Sequence, residues 1–216
     1  MEIGSAFTYM FEDEDWIKKI LIGGVVAIIP VVNFAALGYL IQVIRNVRDG
    51  RALPLPEWDQ FGEYFKNGLF LFLIYLVYAI PVIILSCVQG GVPVLMESMG
   101  SDEAAAAMGI LVTCVSCVMG LWGLVIGVLF PAILVRFAEV GTFGSGFQFG
   151  EILAVIKANI GSYIIILLLM WVAQGIIAPL GLILCVVGVI FTVFWSYLVS
   201  GNLVGQYAAQ IRQQTM

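Results

Sequence analysis

The sequence predicts an all-α polytopic integral membrane protein, and three observations carry that expectation. First, 62% of its 216 residues are apolar, only 11% are charged, and the mean hydropathy is +1.09. A soluble domain of this size has too little interior to hide so much apolar surface from water. Second, the charges leave four long uncharged intervals, 20–44, 67–96, 104–135 and 158–211. A helix needs about 20 apolar residues to cross a bilayer. Third, these runs are continuous rather than alternating, which suits helices and not the strands of a barrel.

Each interval predicts an element. The N-terminal segment 1–15 carries Ile3, Phe7, Met10 and Phe11 at helical spacing and reads as an interfacial helix. The first apolar run, within 16–45, is interrupted by Pro30-Val31-Val32-Asn33. It either crosses once or dips in and returns as a short hairpin. Residues 57–88 read as an interfacial helix and a span, with Trp58, Phe61 and Phe65 on one face. The next span covers 104–136. Residues 147–211 read as an interfacial helix (Phe149, Ile152, Leu153, Ile156) followed by a helical hairpin that turns at Pro179-Leu180-Gly181. Together these make a single membrane domain, 1–216, with four full transmembrane helices and the N-terminal hairpin.

The basic residues set an orientation. Arg45, Arg48, Arg51 and Lys66 fall in one loop, Arg136 and Lys157 in another and Arg212 in the tail, whereas loop 97–103 holds only Glu97, Asp102 and Glu103. The basic loops then face the cytoplasm. Lys18 and Lys19 join them only if the first run returns, which favours the hairpin and places both termini in the cytoplasm. The N-terminus, MEIGSAFTYMFEDEDW, has no basic n-region or cleavage signal, so no removed signal peptide is expected.

A recurrence runs alongside. Phe61-Gly62-Glu63 precedes one span, Phe149-Gly150-Glu151 another, and Asp15-Trp16-Ile17-Lys18-Lys19 the first run. The pattern fits a three-fold repeat of interfacial helix plus hairpin, with the first unit shortened.

The segment Trp16-Ile17-Lys18-Lys19-Ile20-Leu21-Ile22-Gly23-Gly24, then Ile29-Pro30, Asn33, Gly38-Tyr39, Arg45-Asn46-Val47, Gly50 and Leu55-Pro56-Glu57-Trp58 resembles an uncharacterised family. That family comprises bacterial and archaeal polytopic membrane proteins with a domain of unknown function. The resemblance is most specific over residues 7–70. It implies a prokaryotic cytoplasmic-membrane protein and carries no catalytic residues over.

Candidate sites are sparse. With no histidine, the commonest metal ligand and neutral-pH base is missing, and neither a metal nor another cofactor is expected. A net charge of −5 argues against nucleic acid as a partner. Cys87, Cys114, Cys117 and Cys185 all lie in apolar runs, so no disulfide framework is expected, and the Cys114/Cys117 pair reads as packing. Gly123/Gly127 and Gly201/Gly205 place small residues on one helix face for close helix packing, within the chain or with another subunit. Asn33, Gln42, Gln89, Gln174 and Asn202 suit interhelical hydrogen bonds or, less simply, a solute path. Trp16, Trp58, Phe61, Phe65 and Phe149 suit the membrane interface, and Arg45, Arg48 and Arg51 suit lipid phosphate or orientation.

No Asp, Glu, Lys or Arg falls deep within a span, whereas coupled transporters usually keep one there. The functional expectation is therefore a non-enzymatic scaffold or accessory subunit whose partners are the bilayer and other membrane subunits or a second copy. The alternative is a small-solute channel or facilitator. An enzyme acting on lipid head groups through Glu57, Asp59, Glu63 and Lys66 ranks third, and Glu139 with Glu151 is the other carboxylate pair near the surface.

Overall fold

A computed structural model describes residues 2–99, 102–181 and 185–215. Among these, every regular element is helical. In order they are α1 (Ile3–Thr8), α2 (Trp16–Ile28), α3 (Phe34–Arg48), α4 (Phe61–Met99), α5 (Asp102–Val140), α6 (Phe149–Ala158), α7 (Ile160–Val172), the short turn α8 (Ala178–Leu180) and α9 (Cys185–Thr215). Four segments are long and apolar enough to cross a membrane: Trp58–Val92, Met108–Val140, Ile160–Ile177 and Gly188–Gln214.

The chain divides into two compact units, Met1–Ile74 with Pro131–Met216, and Tyr75–Phe130. The first is organised around α9, whose contact register fixes the direction of its neighbours. Tyr9 Oη donates to the Leu198 carbonyl and Glu2 N to Gln206 Oε1, so the N-terminal segment runs antiparallel to α9. In α2, Gly23 faces Phe194 and Gly24 faces Phe191, again antiparallel. In α3, Leu40 faces Gly201 and Val47 faces Gly205, which is parallel. Helices α2 and α3 therefore run in opposite directions, and the first apolar run returns.

Length explains why this run cannot cross twice. Helices of 13 and 15 residues span roughly 20–22 Å at ~1.5 Å per residue, short of the ~30 Å hydrocarbon core. The reversal occupies Ile29–Asn33, where Asn33 N–H donates to the Ile29 carbonyl and Val31 takes φ = 71°. A β-branched residue in the left-handed region is strained, and Val31 is held there by a tight turn between two packed helices.

Several boundaries differ from those predicted. No separate interfacial helix precedes α4: Trp58–Gln60 is one 3-10 turn and Phe61 already opens the long helix. That helix continues to Met99 instead of ending near 88, and α5 reaches Val140 rather than 136. Apolar residues alone do not end a helix, and no stop signal stands at either predicted position. Loop 97–103 falls in part outside the described residues, as do residues 182–184 after the Pro179 turn. Beyond α7 the helix widens into a π turn, Ala173–Ile177.

Helix α5 keeps Pro131 in its interior. Proline removes a backbone donor and disturbs the turn before it. Here the Tyr163 hydroxyl of α7 accepts the neighbouring Ala132 N–H at 3.2 Å, so a polar atom from the adjacent helix satisfies the disturbed backbone.

Candidate functional site

The most constructed site in the first unit surrounds Lys19, whose side chain is only 6% exposed. Its ammonium lies 2.7 Å from Asp13 Oδ2 and 2.6 Å from Glu57 Oε1, with the Leu55 carbonyl at 3.5 Å. A lysine has three donors and no acceptor, and each donor has an oxygen in reach. Asp13 is as buried as Lys19, while Glu57 closes the cluster from the solvent side. Asp13 Oδ1 also accepts the Asp15 N–H at 2.9 Å, the local turn that launches α2 at Trp16.

The cluster belongs to a clasp on the 51–57 loop. Pro54 and Pro56 lack N–H groups, so this stretch is held by its carbonyls. Asn46 Nδ2 donates to the Pro54 carbonyl (2.9 Å), Lys19 to Leu55, Tyr39 Oη to Pro56 (2.8 Å) and Tyr64 Oη to Glu57 (2.8 Å). Donors from α2, α3 and α4 thus converge on successive peptide groups. Trp58 then seals the loop: its ring stacks on Tyr39 at 4.4 Å and its indole N–H donates to the Lys19 carbonyl at 3.1 Å.

Electrostatics sets what this site can do. Burial works against the charged ammonium, but the hydrogen bonds and charges of Asp13 and Glu57 outweigh it and hold Lys19 above the usual lysine pKa. A lysine serving as base or Schiff-base nucleophile needs the opposite shift. Among the described residues no group of acids and cysteines is placed to hold a metal. The arrangement fastens three helices and a loop.

A second cluster occupies the end of α5. Arg45 Nε donates to the Ala138 carbonyl at 2.9 Å and Arg48 Nη1 to the same oxygen at 3.4 Å. Cations on the last carbonyls of a helix satisfy orphan acceptors and complement its dipole. Burial draws the Arg45 pKa down from its usual value against the pull of Glu63, and the guanidinium remains a cation at neutral pH. Arg48 also pairs with Asp49, which Arg212 of α9 reaches at 3.2 Å. Those hydrogen bonds, Arg48's first, hold Asp49 below the usual carboxylate range. Arg136 meets Glu139 and Gln148. All nine basic residues lie in the first unit.

The other predicted site residues scatter. Gly201 and Gly205 lie against α3: a Cβ on Gly201 would come within 2.6 Å of Leu40 Cδ1, and one on Gly205 within 2.9 Å of the Ile44 carbonyl. Gly123 is different, since no described atom lies within 4 Å of where its Cβ would stand. Gly127 is half-buried. Phe61 and Phe149 are exposed, Trp16 packs edge-on to Phe11 at 4.9 Å, and Phe65 edge-on to Phe34 at 5.9 Å. Trp58 is half-buried and faces the clasp.

Cys87, Cys114 and Cys117 are free and face outward. Gln89 bonds across to the Val112 carbonyl and Ser116, and Gln174 across to Ser196 and Ser200. Asn33 is exposed at the hairpin tip, and Gln42 and Asn202 bond along their own helices.

Sequence reasoning missed Lys19 with Asp13, and it missed Gly38 and Gly68. A Cβ on Gly38 would overlap the Tyr64 carbonyl, and one on Gly68 the Phe34 carbonyl, so α3 and α4 cross backbone to backbone. For Lys19 a signal did exist: two lysines ahead of the first apolar run fit the charge rule only if that run returns.

Four apolar spans, a returning hairpin and an interlocked charged end define a helical polytopic membrane protein. The chain belongs to the family described as "Protein of unknown function (DUF4013)", whose model matches residues 21–200. That stretch begins within α2 and ends about halfway along α9, so Asp13 and Lys19 precede it. No curated protein and no solved structure matches the chain.

Proposed function

We propose that this protein is a non-enzymatic scaffold or accessory subunit of a prokaryotic cytoplasmic membrane, with its charged end and both termini in the cytoplasm. The carrying observation is the division of labour between its surfaces. The buried Lys19–Asp13 pair and the half-buried Arg45 are used to fasten helices and loop. Meanwhile α5 presents Gly109, Gly120 and Gly123 with no described atom against them. In a bilayer, small residues on an open helix face let a second helix approach closely. Its partners in this reading are lipid and another membrane subunit or a second copy.

Photo-crosslinking from position 123, followed by purification in mild detergent, tests the proposal. The expected result is an adduct with a discrete polypeptide, absent when the probe stands at Ile17 on the exposed face of α2. Exclusive recovery of the uncrosslinked chain, together with solute flux in liposomes holding that chain alone, would contradict it. Such flux would favour a facilitator, for which the polar contacts of Gln174 with Ser196 and Ser200 beside the π turn are the relevant feature.

A further inference from the structure

The α2–α3 hairpin is polar at both ends and apolar between them. At its base Glu14, Asp15 and Lys18 are exposed, and Glu57 closes the Lys19 cluster from the solvent side. Ile17, Leu21, Val25 and Ile28 follow at helical spacing along the outward face of α2, each about half exposed. That stripe suits lipid. The tip does not. Pro30 has no N–H, and the N–H groups of Val31 and Val32 find no acceptor among the described residues. The Ala27 and Ile28 carbonyls at the end of α2 likewise accept no hydrogen bond there. Val31 is 61% exposed, and the Asn33 side chain is open beside it. Open backbone groups of this kind are not tolerated in hydrocarbon, so the tip, like the base, requires water or lipid head groups.

Distance decides how both ends are served. Base and tip lie no more than roughly 20 Å apart, the length of the 13-residue α2 at ~1.5 Å per residue. An ordinary hydrocarbon core is ~30 Å thick. The opposite face of α9 differs. There Val189, Ser196 and Tyr207 meet α7 and the turns after it, whereas Phe191 and Phe194 meet α2. Exposed apolar residues on the α7 flank run from Ile160 to Leu180, a rise of roughly 30 Å that matches the bilayer. A bilayer yields to hydrophobic mismatch at a modest cost per ångström, a smaller penalty than several unpaired backbone groups in lipid. We propose that the α2–α3 flank thins the bilayer locally, drawing head groups of the far leaflet inward to the hairpin tip.

The test uses the full chain in phosphatidylcholine vesicles, in a background lacking Cys87, Cys114, Cys117 and Cys185, with a fluorophore on one introduced cysteine. Probes at Lys18, Val25 and Asn33 read the hairpin, and probes at Ile160, Leu168 and Leu180 read the α7 flank. Each of these side chains is exposed, so labelling leaves the packing intact. Lipids carry a nitroxide quencher on the head group, near the carboxyl end of the acyl chain or near its methyl end, and the quenching ratios give each probe's depth. The expected result is strongest quenching of both Lys18 and Asn33 by the head-group nitroxide, and of Val25 by the chain. The two head-group levels should lie about 20 Å apart at the hairpin, against ~30 Å between Ile160 and Leu180. A second tip probe at Ile29, 45% exposed, should report the depth of Asn33. Strongest quenching of both tip probes by the methyl-end nitroxide would place the tip in hydrocarbon of ordinary thickness. Quenching from no position would mean that protein or a water-filled channel shields it. Either result would overturn the proposal.

Discussion

At the residue scale Lys19 is the pivot of the clasp. Replacing it by methionine leaves Asp13 buried without a counter-charge, and breaking a buried pair from one side costs about 3–5 kcal/mol. Lys19→Met should therefore destabilise the detergent-solubilised protein by about 3 kcal/mol, the lower figure because Glu57 can still reach water. Adding Asp13→Asn should recover much of that loss, as a double-mutant cycle would show. The pH dependence follows from the direction of the shift. A lysine whose folded pKa is raised contributes stability that is complete below the unfolded value, ~10.4, and is lost as pH rises through the folded value. Unfolding midpoints should thus show no Lys19 contribution to pH dependence between pH 7 and 9. They should fall above about pH 10.4, and that fall should be smaller in Lys19→Met. None of this was legible in composition. Lys19 reads as one of two basic residues before an apolar run, and Glu57 as one of several surface acids. Only the return of the hairpin brings them together.

The element scale separates glycines that look alike in sequence. Gly201/Gly205 and Gly123/Gly127 share one spacing, yet the first pair packs on α3 while Gly123 faces open space. Spacing reveals a small-residue face but not what lies opposite it. The closest backbone approach, Gly38 with Gly68, has no such spacing because its two members sit on different helices. A graded series follows. Gly38→Ala forces a Cβ into the Tyr64 carbonyl, which cannot move without its helix, and should cost at least 1–3 kcal/mol. Gly201→Ala meets the end of a flexible leucine and should cost less. Gly123→Ala meets nothing and gains helix propensity, so it should leave stability unchanged or raise it by about 0.5–1 kcal/mol. Reversible unfolding in detergent would order the three. At the hairpin tip, Val31→Gly relieves a left-handed β-branched residue but loosens the unfolded chain, so a small stabilisation below about 1 kcal/mol is expected.

At the scale of the whole molecule, the sequence was most informative where charge is scarce. Gaps between charges located four spans, because each charge in a bilayer is costly. Span ends were less legible: α4 and α5 run beyond the predicted limits because nothing in those stretches caps a helix. The segments in which the three-fold recurrence is expected, α2–α3, α4–α5 and α7–α9, differ greatly in length. Only the first and third are preceded by separate short helices. The site was less legible than the fold, since its donors come from three helices and converge on the backbone of a loop. The central claim is that the first apolar run returns, an arrangement that would place all nine basic residues on one side of a membrane. It is tested most directly by labelling single cysteines in a background lacking Cys87, Cys114, Cys117 and Cys185. With cysteine at Ser5 or at Arg51, both positions should react in inverted vesicles and neither in right-side-out vesicles. Labelling of Ser5 only in right-side-out vesicles, with Arg51 labelled only in inverted ones, would mean that the first run crosses the membrane and would contradict the account.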